Sequence, residues 1–98
     1  MKILSVAQCA VGRKNPVASG PHSRVTVWRL EPGDEIHPHV HKGDHVWVIT
    51  AGEGAFLTPE GAHAVEAGTV VFVPEGEAHG MRAGREPLVF VSVSAGGE

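Results

Sequence analysis

The sequence predicts an all-β fold, a small sandwich or barrel, on three observations. Thirteen glycines and seven prolines recur along the 98 residues, with short apolar or alternating runs between them, the pattern of short strands joined by tight turns. Those runs are rich in Val, Thr, Ile, Phe and Trp, which suit a pleated, half-buried surface. No long segment carries a clean helical period between breakers, so helix is expected to be scarce.

Taken in order, Ile3–Ala7 is a short, mostly apolar run and reads as an edge strand or arm. Ser23–Leu30 places Arg24, Thr26 and Trp28 on one face and Val25, Val27 and Arg29 on the other. The Glu31-Pro32-Gly33 turn leads into Glu35–His41, and Lys42-Gly43-Asp44 leads into His45–Thr50. Gly54–Thr58 follows the turn at Ala51-Gly52-Glu53-Gly54, and Ala62–Glu66 follows Pro59-Glu60-Gly61. Thr69–Val73 ends at Pro74-Glu75-Gly76, and His79–Arg82 and Pro87–Ser94 complete the set. So many short strands in one small chain predict a single domain over residues 1–98, built as two sheets or a closed barrel. Val46-Trp47-Val48-Ile49 and Val70-Val71-Phe72-Val73 are apolar on both strand faces. One face can line the core; the other needs a cover, and a homodimer is the expected one.

Composition narrows the function. Apolar residues make up 42% and charged residues 19%, ordinary for a globular chain, and the net charge is −3 with no basic run. Nucleic acid is therefore not an expected partner, because phosphate neutralisation needs clustered Lys and Arg. The opening MKILSVAQCAV has too short an apolar stretch for an export signal, and no run is long enough to span a membrane, so a cytoplasmic location is expected. With one cysteine, Cys9, no intramolecular disulfide can form.

Histidine is the outlier. Four of the seven lie in His37-Pro38-His39-Val40-His41-Lys42-Gly43-Asp44-His45. On an extended strand His37, His39 and His41 point one way and Pro38 and Val40 the other. If Lys42-Gly43-Asp44 is a hairpin turn, His45 comes alongside His41 or His39. Three imidazoles then converge on one point, which suits a divalent transition metal. Surface histidines on a polar loop are the plain alternative.

The chain also reads Gly33, five residues, His39-x-His41, three residues, His45, six residues, Gly52. Further on it reads Gly68, five residues, Pro74-x-Gly76, two residues, His79. These stretches, 33–52 and 68–83, resemble the two signature motifs of the cupin superfamily, G-x5-H-x-H-x3-4-E-x6-G and G-x5-P-x-G-x2-H-x3-N. The resemblance implies a small single-domain, jelly-roll-like β-barrel of two antiparallel sheets. It also implies one divalent metal per chain (Mn, Fe, Zn or Ni), held by His39, His41, His45 and His79. Two positions depart from the pattern: His45 stands where the motif has Glu, and Ala83 where it has Asn. Four neutral imidazoles would leave the full +2 charge on the ion, a stronger Lewis acid than one with a carboxylate ligand. Small cupins similar to this one act on oxygen-chelating small molecules, as dioxygenases or as non-redox isomerases, cyclases and lyases. The alternative is a non-catalytic protein that binds or senses a small ligand or metal.

Around that ligand set, Trp47 and Ile49 share the strand face of His45 and are expected to line the cavity. His37, Phe72, Met81 and Phe90 are further lining candidates, and Arg24 is placed to anchor a carboxylate if its face turns inward. No residue stands out as a catalytic acid or base.

Overall fold

The computed structural model describes residues 1–96. Nine strands form two antiparallel sheets: β1 Lys14–Ser19, β2 Ser23–Leu30, β3 Glu35–His39, β4 Asp44–Ala51, β5 Glu53–Thr58, β6 Gly61–Glu66, β7 Val70–Val73, β8 His79–Ala83 and β9 Leu88–Ala95. The larger sheet runs β1-β2-β9-β4-β7 and the smaller β3-β8-β5-β6. No helix among the described residues is long and apolar enough to cross a membrane.

The N-terminus differs from the expected strand. Val6–Cys9 forms one turn of helix, with the Ser5 side chain accepting from the Gln8 amide at 3.4 Å. The edge strand is β1 instead, pairing with β2 around an irregularity between Pro16 and Ala18. Proline is tolerated there because an edge strand needs no donor on its outer side.

The second difference decides the site. β3 and β4 do not pair as a hairpin: β3 pairs with β8, and β4 lies between β9 and β7. The chain between His39 and Asp44 crosses from one sheet to the other. The two sheets close on a core of Leu30, Ile36, Trp47, Ile49, Phe56, Val65, Val73, Met81, Ala83, Leu88 and Phe90.

The inner face of the larger sheet changes character along its strands. Cross-strand register aligns Leu30 with Leu88, then Trp28 with Phe90 and Ile49. The next row is Thr26, Ser92 and Trp47, and the last is Arg24, Ser94 and His45. One end of the barrel is therefore shut by apolar side chains, and the other is polar and open. Two glycines permit close approaches. Gly52 turns β4 into β5 at φ 81°, and a Cβ there would strike the Pro87 carbonyl oxygen. A Cβ on Gly80 would strike the Ile36 carbonyl oxygen of the neighbouring strand.

Candidate functional site

At the open end four imidazoles gather from both sheets. His39 ends β3 and faces His79 of β8 in register, His45 opens the inward face of β4, and His41 sits on the crossing segment. Ring centres lie 4.3 Å apart for His39–His41, 4.9 Å for His45–His79, 5.2 Å for His41–His45, and 5.6 Å for both His39–His79 and His41–His79. His79 is 1% and His45 7% exposed, while His39 and His41 face solvent.

Local hydrogen bonds fix which nitrogen is free. His79 Nδ1–H donates to the Glu77 carbonyl at 3.0 Å, and His39 Nδ1–H to the His37 carbonyl at 2.7 Å. A carbonyl only accepts, so each of these rings keeps its lone pair on Nε2. The His79 Nε2 atom is buried without a hydrogen-bond partner. The loop before His79 is also tied down: the Glu75 amide donates to Asp44 Oδ1 at 3.0 Å, joining it to the start of β4.

Desolvation pushes the pKa values of His41, His45 and His79 below the usual histidine range, through burial for His45 and His79 and through partial enclosure among the other rings for the more exposed His41. Neighbouring imidazoles add to the fall, while the Gly43 and Glu77 backbones pull His45 and His79 back up. Three of the four rings are thereby biased to the neutral form, the form that binds metals. Among the described residues, no three His, Cys, Asp or Glu side chains already stand in a metal-ligating arrangement. The rings are gathered, but their nitrogens are not yet trained on one point.

The histidines form one wall of a cavity of about 330 Å³. Trp47, Trp28, Ile36 and Pro16 give it apolar walls; Thr26, Ser92 and Ser94 bring hydroxyls, and Lys14 and Arg24 bring positive charge. Trp47 packs edge-on to His79, with ring centres 5.1 Å apart.

The structure sorts the other sequence candidates. Arg24 and Trp47 line the cavity. Ile49, Met81 and Phe90 are core residues, at most 1% exposed, on the apolar rows below it. Phe72 points out of the barrel at 61% exposure, because β7 turns Val71 and Val73 inward instead. His37 also leaves the site: its side chain is 88% exposed and meets Glu35 Oε2 at 3.0 Å. An irregularity between Ile36 and His39 breaks the strand alternation that would have aligned His37 with His39. Sequence reasoning missed Lys14, Ser92 and Ser94. The serines had a signal, since they alternate with Val91 and Val93 in β9.

Comparison with known proteins gives the same fold. Among curated proteins, none matches this chain. A Klebsiella pneumoniae protein with a double-stranded β-helix domain is 31% identical, with a TM-score of 0.90 over 100% of this chain and 92% of the other. A predicted oxalate decarboxylase from Thermotoga maritima is 26% identical, with a TM-score of 0.76 over 84% and 77% of the two chains. The polyketide cyclase RemF from Streptomyces resistomycificus is 20% identical, with a TM-score of 0.82 over 97% and 79%. The family model for the cupin domain matches residues 26–94, the span from the cavity row of β2 to that of β9, and the chain belongs to that family.

Proposed function

We propose that this protein is a metal-dependent enzyme acting on an oxygen-chelating small molecule, with His39, His41, His45 and His79 holding one divalent transition ion. The observation that carries the reading is the His79 Nε2 atom, buried without a partner inside a cluster of four imidazoles. A buried polar atom left unpaired costs about 1–3 kcal/mol, which a bound ion would relieve. Ring spacing supports the same reading. An ion about 2.1 Å from one nitrogen of each ring would set ring centres roughly 4.5–5.2 Å apart, for right-angled and tetrahedral pairs. Five of the six ring pairs lie 4.3–5.6 Å apart. His41 is exposed and outside any strand, so its side chain can turn without disturbing the sheets.

Such an ion, with coordination positions left open, supplies Lewis acidity toward substrate oxygens. The chain does the rest. Trp28, Ile36 and Trp47 exclude water on the apolar side, and the Thr26, Ser92 and Ser94 hydroxyls offer hydrogen bonds to the substrate. A polyketide cyclase and a predicted oxalate decarboxylase on the same fold favour an enzyme, by analogy of fold.

The test is elemental analysis of untagged protein together with X-ray absorption of the metal shell. One ion per chain, with four nitrogens and one or two exchangeable oxygens, is expected. Four nitrogens alone would make the site structural or sensory, and no metal would end the proposal.

The proposal includes a second copy of the chain as partner. On the outer face of the larger sheet, Val25, Val93, Val46 and Phe72 form one row, and Val91, Val48 and Val70 lie in the next, beside Val27, which the chain itself already buries. Phe72 and Val70 are more than 60% exposed on the edge strand. A two-fold axis would lay this flat apolar face on its own copy, covering both.

A further inference from the structure

We infer that the substrate is a small carboxylate, its carboxylate held by Arg24 and its chelating oxygens turned toward the histidines. This rests on the metal-site reading above, but a different set of residues carries it. Register fixes Arg24, Ser94 and His45 as neighbours on three adjacent strands, all facing inward. At about 4.8 Å per strand, the Cα atoms of Arg24 and His45 lie roughly 10 Å apart. Arg24 therefore enters the cavity two strands across from His45. Lys14 comes from β1, where it pairs with Trp28, and its ammonium sits 5.4 Å from the centre of that ring. The contact holds the lysine against the cavity wall.

Charge fixes the sign of the ligand. Among the described residues no Asp or Glu lines the cavity. Among the same described residues neither Lys14 nor Arg24 is in an ion pair. Both are exposed at the edge of the cavity, whose described lining carries positive charge alone, and a divalent ion would add to it. An anion meets this need, and a guanidinium grips a carboxylate through two parallel hydrogen bonds. Carboxylate is favoured over phosphate because phosphate sites are built on helix N-termini or runs of backbone amides. The helix here is a single turn at Val6–Cys9, and none of its residues lines the cavity.

Size bounds the ligand. A cavity of about 330 Å³ equals roughly eleven liquid waters at about 30 Å³ each. That is room for a ligand of about ten non-hydrogen atoms, charged at one end, chelating at the other, and crossing the apolar wall of Trp28 and Ile36.

The experiment uses calorimetric titration of the metal-loaded protein with two probes, 2-oxoglutarate and its C5 monomethyl ester. Both carry the same chelating keto-acid end and differ by one charge at the other. The wild type is expected to favour 2-oxoglutarate at least tenfold, and that preference should shrink as salt is raised. Arg24→Gln should erase most of the preference while metal stoichiometry and melting temperature stay unchanged, and Lys14→Gln, four residues along the sheet, should leave most of it. Equal binding of the two probes by the wild type, or an undiminished preference in Arg24→Gln, overturns the inference while leaving the metal site intact. Preferential binding of inorganic phosphate through Arg24 overturns the carboxylate assignment. If no metal binds, the metal reading fails on its own, and an Arg24-dependent preference in the metal-free protein would still uphold the anion site.

Discussion

Replacing His79 by Phe separates the two costs carried by that position. Without metal, the wild-type Nε2 is a buried polar atom without a partner, a burden of about 1–3 kcal/mol. Phe removes it and keeps an aromatic ring against Trp47, 5.1 Å away. It forfeits the Nδ1–H bond to the Glu77 carbonyl, worth about 1 kcal/mol; Glu77 is exposed, so its carbonyl can turn to water. The slightly larger ring borders an open cavity, which limits overpacking. The net expectation is about 1 kcal/mol of added stability in chelator. For 98 residues the unfolding entropy is about 0.2 kcal/mol/K, so the melting temperature rises about 5 °C. Metal reverses the order. At a thousandfold excess over Kd the wild type gains about 4 kcal/mol, or roughly 20 °C, and the variant, short of one ligand, gains far less. Scanning calorimetry in chelator and in saturating metal reads both effects. A variant that melts well below the wild type in chelator would refute the argument, since Nε2 would then be no burden.

Acidification should weaken the metal-free fold. His41, His45 and His79 titrate below the ordinary value in the folded state, so from about pH 6.5 downward the unfolded chain binds more protons and stability falls with pH. Urea midpoints between pH 7.5 and 5 in chelator should fall steadily, and a flat profile would contradict the neutral cluster. Gly80→Ala drives a methyl into the Ile36 carbonyl and should cost several kcal/mol or open the β3–β8 pairing, seen as lost amide protection in β3; wild-type stability would show that the strands can part freely. His37→Ala should leave metal stoichiometry and melting temperature unchanged, because that side chain is 88% exposed; loss of metal would restore it to the site. Phe72→Lys should convert a dimer to a monomer in light scattering, and unchanged mass would place any interface elsewhere.

Eight of the nine strands were legible to within a residue or two, because Pro- and Gly-marked turns are local signals. The ninth was not. Lys14–Ser19 contains Asn15 and Pro16, so β1 shows no alternation, and only its long-range pairing with β2 makes it a strand. Ile3–Ala7 had the apolar run but not a partner strand, and Ser5 caps a helical turn instead. The histidine spacing was visible, but the route by which the histidines meet was not. A three-residue turn suggests a hairpin, whereas sheet membership depends on β8 and β9, which arrive about forty residues later. Phe72 failed for a related reason: in Val70-Val71-Phe72-Val73 both faces are apolar, so the sequence carries no phase. His37 failed because an irregularity cannot be read from parity.

The graded rows on the inner face of the larger sheet separate what the chain needs to fold from what it needs to recognise. Leu30, Leu88, Phe90 and Ile49 hold the barrel together two or more residues below the mouth. Arg24 and Ser94 occupy the same strands at the rim, beyond the Thr26–Ser92–Trp47 row, where each can be exchanged with little disturbance of the packing beneath. Position along the strand thus works as an address. Substitutions at the rim retune what the cavity accepts, while those one or two rows down change whether there is a cavity at all. A protein built this way can drift in specificity at nearly constant stability, which makes the rim the place to redesign it.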